Sequence, residues 1–172
     1  MAEGLTLYKL IILYLLRKVN FPLSNTQITD FMTERDYTDY FHVQEAVNDL
    51  LDARLITAEK IRNMSQYTAT MDGEKTLEYF TSEIPYGIKK DIDAYLRDKA
   101  FDLRNESCMI ADYSLTDDGG YAVHCRVNEG REILIDLTIN VTTEEEAEKV
   151  CSRWPSKAQD LYMTIMTRLF TD

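Results

Sequence analysis

The most constraining feature of the chain is its longest apolar run, Leu10 to Leu16, seven residues with no polar break. Seven residues cannot cross a membrane, which takes about 20. Leu7, Leu10, Ile11, Tyr14 and Leu15 recur at helical spacing, which predicts a helix over residues 5–18. Ile12, Leu13 and Leu16 fill its other sides, so this helix must be covered all round and sit centrally in its domain. The flanking charges, Glu3 before the run and Arg17-Lys18 after it, are in the wrong order for a secretory signal. A soluble, cytoplasmic protein without a membrane span is the expectation.

A chain of 172 residues allows one or two domains, each with a real core. The expected division falls after residue 82, giving domains 1–82 and 83–172. Cys108, Cys125 and Cys151 are odd in number and far apart, which reads as free thiols in a reducing compartment. Without a C-x-x-C pair, and with only His42 and His124, no metal site is expected. No cofactor is expected, and no catalytic motif is present, neither a Gly-rich phosphate loop nor G-x-S-x-G nor H-E-x-x-H. A binding protein rather than an enzyme is the reading.

Through the first domain, Asn20-Phe21-Pro22 ends the first helix. Ser24 with Gln27 three residues on has the spacing of a capping box, and Ile28, Phe31 and Met32 face inward on a second helix. Thr38 or Asp39 caps a third, with Tyr40, Val43, Val47, Leu50 and Leu51 inward and Asp39, His42, Glu45, Asn48, Asp49 and Asp52 outward. Two alternating runs, 55–60 and 66–70, flank a polar tip at 61–65 and predict a β-hairpin. Thr70-Met71-Asp72-Gly73 starts a fourth helix with Leu77 and Phe80 inward.

These residues resemble the winged helix-turn-helix family, in particular PadR- and MarR-like bacterial regulators. Val47-Asn48-Asp49-Leu50-Leu51-Asp52-Ala53-Arg54-Leu55-Ile56 looks like the end of a recognition helix running into a wing strand. Tyr67-Thr68-Ala69-Thr70-Met71-Asp72-Gly73 looks like the exit from the wing, and Asn25-Thr26-Gln27-Ile28-Thr29-Asp30-Phe31 like the support helix. The resemblance covers residues 5–80. The whole chain also resembles a small family of winged-helix proteins from Gram-positive anaerobes, usually labelled regulators on fold alone.

The resemblance implies a transcriptional regulator that binds double-stranded DNA, as a homodimer. His42, Gln44 and Asn48 would face the groove, with Arg54 at the end of that helix; Lys60, Arg62 and Asn63 at the wing tip would meet phosphates or the minor groove, and Arg17, Lys18 and Arg35 would flank the duplex. The charge balance complicates this. The chain carries 30 acids against 19 bases, and the third helix is itself acidic. Carboxylates facing phosphates are repelled, so the alternative is a module that grips a protein partner through that acidic helix.

The second domain reads as helix, three antiparallel strands, helix. The fold expected for the chain is therefore α+β, an N-terminal winged helix-turn-helix followed by a helix–three-stranded antiparallel sheet–helix domain. A helix over 85–104 carries Ile88, Ile92, Tyr95, Leu96, Ala100 and Leu103 along one side. The strands join at Asp117-Asp118-Gly119-Gly120 and Asn128-Glu129-Gly130-Arg131. The apolar residues of all three strands are odd-numbered, so strict two-residue turns would set them on opposite faces. A three-residue loop of Asp117, Asp118 and Gly119 would instead bring Tyr113 opposite Val123, with Gly119 left-handed, and the second turn needs a similar odd adjustment. Thr142 or Thr143 caps a helix that Pro155 is expected to end. A separate last helix carries Leu161, Tyr162, Ile165, Met166, Leu169 and Phe170, either over the sheet or between two protomers.

Overall fold

The computed structural model describes residues 2–130 and 132–172. It is a mixed α+β structure with two three-stranded antiparallel sheets. Its elements are α1 (Ala2–Val19), β1 (Leu23–Ser24), α2 (Asn25–Glu34), α3 (Tyr40–Asp52), β2 (Ile56–Ile61), β3 (Met64–Ala69) and α4 (Met71–Phe80). A 3-10 turn (Thr81–Glu83) leads to α5 (Tyr86–Cys108), β4 (Met109–Leu115), β5 (Tyr121–Glu129), β6 (Glu132–Val141) and α6 (Glu144–Phe170). No helix among the described residues is long and apolar enough to cross a membrane. Contacts group residues 1–60 and 64–103 in one compact unit, and 61–63 and 104–172 in another.

In the first unit α1 is the central element that its sequence demands. Ile11, Ile12, Leu13 and Leu15 are buried on every side of it, among Leu23, Ile28, Phe31, Val43, Leu50 and Leu77. Each such leucine or isoleucine stabilises by roughly 1.5–3 kcal/mol over an exposed one. The Ser24–Gln27 capping box forms with both hydrogen bonds, at 2.9 and 3.1 Å. Asp39, not Thr38, caps α3. Strand order is β1-β3-β2, with Leu23 opposite Tyr67 and Ser24 opposite Gln66. The turn between β2 and β3 is two residues, Arg62-Asn63, both with positive φ, tighter than the tip expected at 61–65. Such a mirror-image turn matches the twist of the strands it joins.

Thr70 caps α4. Its hydroxyl accepts from the Gly73 N–H at 3.1 Å and donates to the Arg54 carbonyl at 2.8 Å. Gly73 lies so close to the α3–β2 junction that a Cβ there would stand 2.0 Å from the Leu55 carbonyl oxygen. Two inward assignments are corrected. Tyr40 and Phe80 are exposed, because each lies at a helix end, where the helix has already left the core it faces.

In the second unit the sheet order is β4-β5-β6. Tyr113 faces Val123, and Thr116 N–H closes on the Gly120 carbonyl at 2.8 Å around Asp117, Asp118 and Gly119, with Gly119 at φ +87°. The second odd adjustment is a bulge between Val127 and Asn128. Arg131, the last residue named for that turn, lies outside the described residues. The odd residues, in β6 from Ile135 onward, thus share one face, which α6 covers through Ala147, Cys151, Trp154 and Ala158, whereas Ile133 lies beyond the bulge and pairs with Asn128 on the other face. Thr143 caps α6 in a full capping box with Glu146. The hydrogen bonds from Thr142 and then Thr143 hold the Glu146 carboxyl below its usual range.

Pro155 does not end the helix, and α6 runs unbroken through it. A proline inside a helix costs about 3 kcal/mol. Here Cys151 and Trp154 before it and Ala158 after it all pack on the same sheet, and the Trp154 indole donates to the Arg126 carbonyl at 3.0 Å. Packing on both sides of the proline outweighs the local cost. The apolar residues beyond Ala158 do not cover the sheet. Leu169 and Phe170 are 75% and 81% exposed.

Candidate nucleic-acid interface

The residues expected to meet DNA divide sharply once their partners are known. On α3, Val43, Ala46, Val47 and Leu50 face the core at helical spacing. That leaves Phe41, His42, Glu45, Asn48 and Asp52 exposed. The Asp39 carboxylate accepts from the His42 backbone N–H at 3.0 Å and lies 2.9 Å from the His42 ring Nδ1. The backbone bond is the main cause of an Asp39 carboxyl held below its usual range. The cap therefore also orients the His42 ring. Asn48 lies two turns into the helix with its amide exposed.

Gln44 is not part of this face. Its amide donates to Asn25 Oδ1 at 3.2 Å and to Thr29 Oγ1 at 3.3 Å, tying α3 to α2. Arg35 is also committed elsewhere. Its guanidinium stacks over the Phe31 and Tyr95 rings at 5.4 and 5.5 Å, a packing role within the first unit. Arg54 is exposed with φ +57°, the left-handed position that ends α3. It is fixed from behind by the Thr70 hydroxyl on its carbonyl.

The hairpin residues differ among themselves. Lys60, the penultimate residue of β2, and Asn63, in the turn, are exposed. Arg62 belongs by its contacts to the second unit. Its N–H donates to Asp112 Oδ2 at 3.0 Å, and its guanidinium meets Glu148 Oε2 at 2.7 Å. Glu148 also accepts from the Tyr113 hydroxyl at 2.6 Å, the main cause of a Tyr113 phenol held above its usual range. Arg62 is thus held by carboxylates where the sequence suggests a phosphate contact.

Reasoning from sequence missed Lys9. Its ammonium, on α1, pairs with Asp49 Oδ2 at 3.2 Å, across forty residues. The acidity of α3 is smaller in effect than its composition. Asp39 serves as the cap and Asp49 is neutralised by Lys9. Phe41, 80% exposed, was also missed, although its spacing with Glu45, Asn48 and Asp52 puts it outside the inward stripe.

Residues 8–169 match the family model described as "Domain of unknown function (DUF4364)", and the chain belongs to that family. No curated protein and no solved structure matches the chain.

Proposed function

We infer that this member of the family is a cytosolic, dimeric DNA-binding regulator whose activity is binding and not catalysis. In this reading the first unit is a winged helix. Helix α3 enters the groove, and the β2–β3 hairpin is the wing. The observation that carries the reading is the placement of β1. This two-residue strand lies between α1 and α2 in sequence, yet pairs with β3 on the inner side of the hairpin. A sheet of order β1-β3-β2 interleaved with three helices supports the winged-helix reading.

The side chains support DNA as the partner. Asn48 offers an amide that can pair bidentately with adenine, and His42, oriented by Asp39, is exposed nearer the start of the same helix. Lys60 supplies charge for a phosphate, and Arg54 flanks it. With Asp39 and Asp49 engaged, the repulsion left on α3 comes from Glu45 and Asp52. The three buried, unbridged cysteines fit a reducing compartment.

Fluorescence anisotropy of the full chain against upstream DNA of its host, at low and physiological salt, tests this. Tight binding that weakens steeply with salt is expected, with a log–log slope of roughly −0.9 per phosphate neutralised. Lys60→Ala should weaken all sequences about equally, and Asn48→Ala should change the preference among them. Binding that does not respond to salt, or to either substitution, overturns the assignment.

A second reading rests on the exposed aromatics of α3. Phe41 beside Tyr40, with Glu45 one turn further along, has the make-up of a protein-binding anchor. Glu45→Lys separates the two readings. It strengthens DNA binding under the first and disrupts a protein partner under the second.

A further inference from the structure

We propose that the outer edge of β6 is a self-association edge, on which a second copy of this chain lays its own β6 antiparallel, joining two three-stranded sheets into one of six strands. The order β4-β5-β6 leaves two sheet edges. Open edges template pairing with another chain, and proteins blunt them with charges, proline or a covering segment. The β4 edge is blunted in this way. The Asp112 carboxylate accepts from the Tyr113 N–H at 2.8 Å through one oxygen, and from the Arg62 N–H at 3.0 Å through the other. β6 is bulged at its start, and from Ile135 to Val141 its ladder is regular. Over its ten residues it holds no Lys, Arg or Pro, and Ile133, Leu134, Ile135, Leu137, Ile139 and Val141 make up more than half of it. Its charged residues are Glu132 and Asp136, and Asp136 is bonded to His124.

The strand is also complementary to itself. Two copies related by a two-fold axis must keep their apolar faces on one side, so odd residues face odd residues. Centring the pair on Asp136 would set two carboxylates directly opposite, which destabilises a sheet. Centring it on Leu137 places Ile135 against the partner's Ile139 and Asp136 against the partner's Thr138. Ile139, which is 41% exposed on the face that α6 covers elsewhere, gains an aliphatic cross-strand neighbour. This deepens the dimeric half of the proposed function. It is read from mass, not from DNA, so the two can fail separately.

Sedimentation of the full chain at micromolar concentration tests the edge. The native chain is expected to sediment as a dimer, and Ile139→Lys as a monomer with unchanged far-UV circular dichroism. A native monomer, or an Ile139→Lys dimer, overturns the proposal. Should Ile139→Lys not fold, cross-linking decides. Residues directly opposite lie about 4.5–5.5 Å apart at Cα, within disulfide reach. Leu137→Cys oxidised with diamide should therefore yield a linked dimer, and Asp136→Cys should not. The native cysteines are buried and do not compete. No link through position 137, or a preferred link through 136, overturns the register.

Discussion

Leu50 on α3 and Ile139 on β6 each lie on the apolar side of a regularly patterned element, yet one is sealed and the other is open. The difference holds for the units around them. The first unit wraps α1 with α2, α3, α4, the hairpin and most of α5, so the inward stripes of these elements are sealed against one another. The second unit has one helix to cover three strands. Ala147, Cys151, Trp154 and Ala158 seal β4 and β5, while the far side of β6 and the last turns of α6 stay uncovered. A closed core frees a surface for recognition. An open one leaves apolar surface that another chain can cover.

The largest test of this contrast is Leu50→Ala. A fully enclosed leucine should cost about 2–5 kcal/mol when truncated, read from denaturant unfolding by far-UV circular dichroism. A loss near zero would mean that the first core is not closed. The second unit has its own reporter in Trp154, the one tryptophan of the chain, so its unfolding can be followed by fluorescence.

The next effect is a pH slope. Burial, with a smaller contribution from Cys151, pushes the Cys125 thiol from 9.0 up to about 11. A group raised on folding stabilises fully below its unfolded value, and that contribution is lost as pH rises toward the folded one. The Trp154 transition should therefore weaken between pH 9 and 11, and Cys125→Ala should flatten that slope. An unchanged slope would show that Cys125 is not sealed under α6.

Smaller again is Thr70→Ala, which removes the cap of α4 and should cost about 1 kcal/mol. The same substitution frees the Arg54 carbonyl, so any DNA affinity should fall with it. The smallest is Leu169→Ser. At an exposed helix end, stability should stay within about 0.5 kcal/mol of the native chain. A larger loss at monomeric concentration would mean that the end of α6 is covered within its own chain.

Much of the local structure was legible because it depends on neighbours in sequence. The capping box at Ser24, a cap at Thr38 or Asp39 and another at Thr142 or Thr143, the central apolar α1 and the Gly119 loop each follow from residues close in sequence. Pro155 misled for the opposite reason. Its local cost is real, but Trp154 and Ala158 pack against strands far away in sequence. The candidate interface was less legible than the fold. A list of polar residues on α3 and the hairpin does not distinguish an exposed Asn48 from a Gln44 spent on Asn25 and Thr29, or an exposed Lys60 from an Arg62 held by Glu148.

The sequence by itself determined the periodicities, the caps and the odd register of the second sheet, because these are set by side-chain alternation and by hydrogen bonds that close over a few residues. Tertiary structure alone decided which charges remain available. The Lys9–Asp49 pair, the stacking of Arg35 and the carboxylates around Arg62 join positions tens of residues apart. Coulomb forces and hydrogen bonds act on distance in space, and only the folded chain sets that distance.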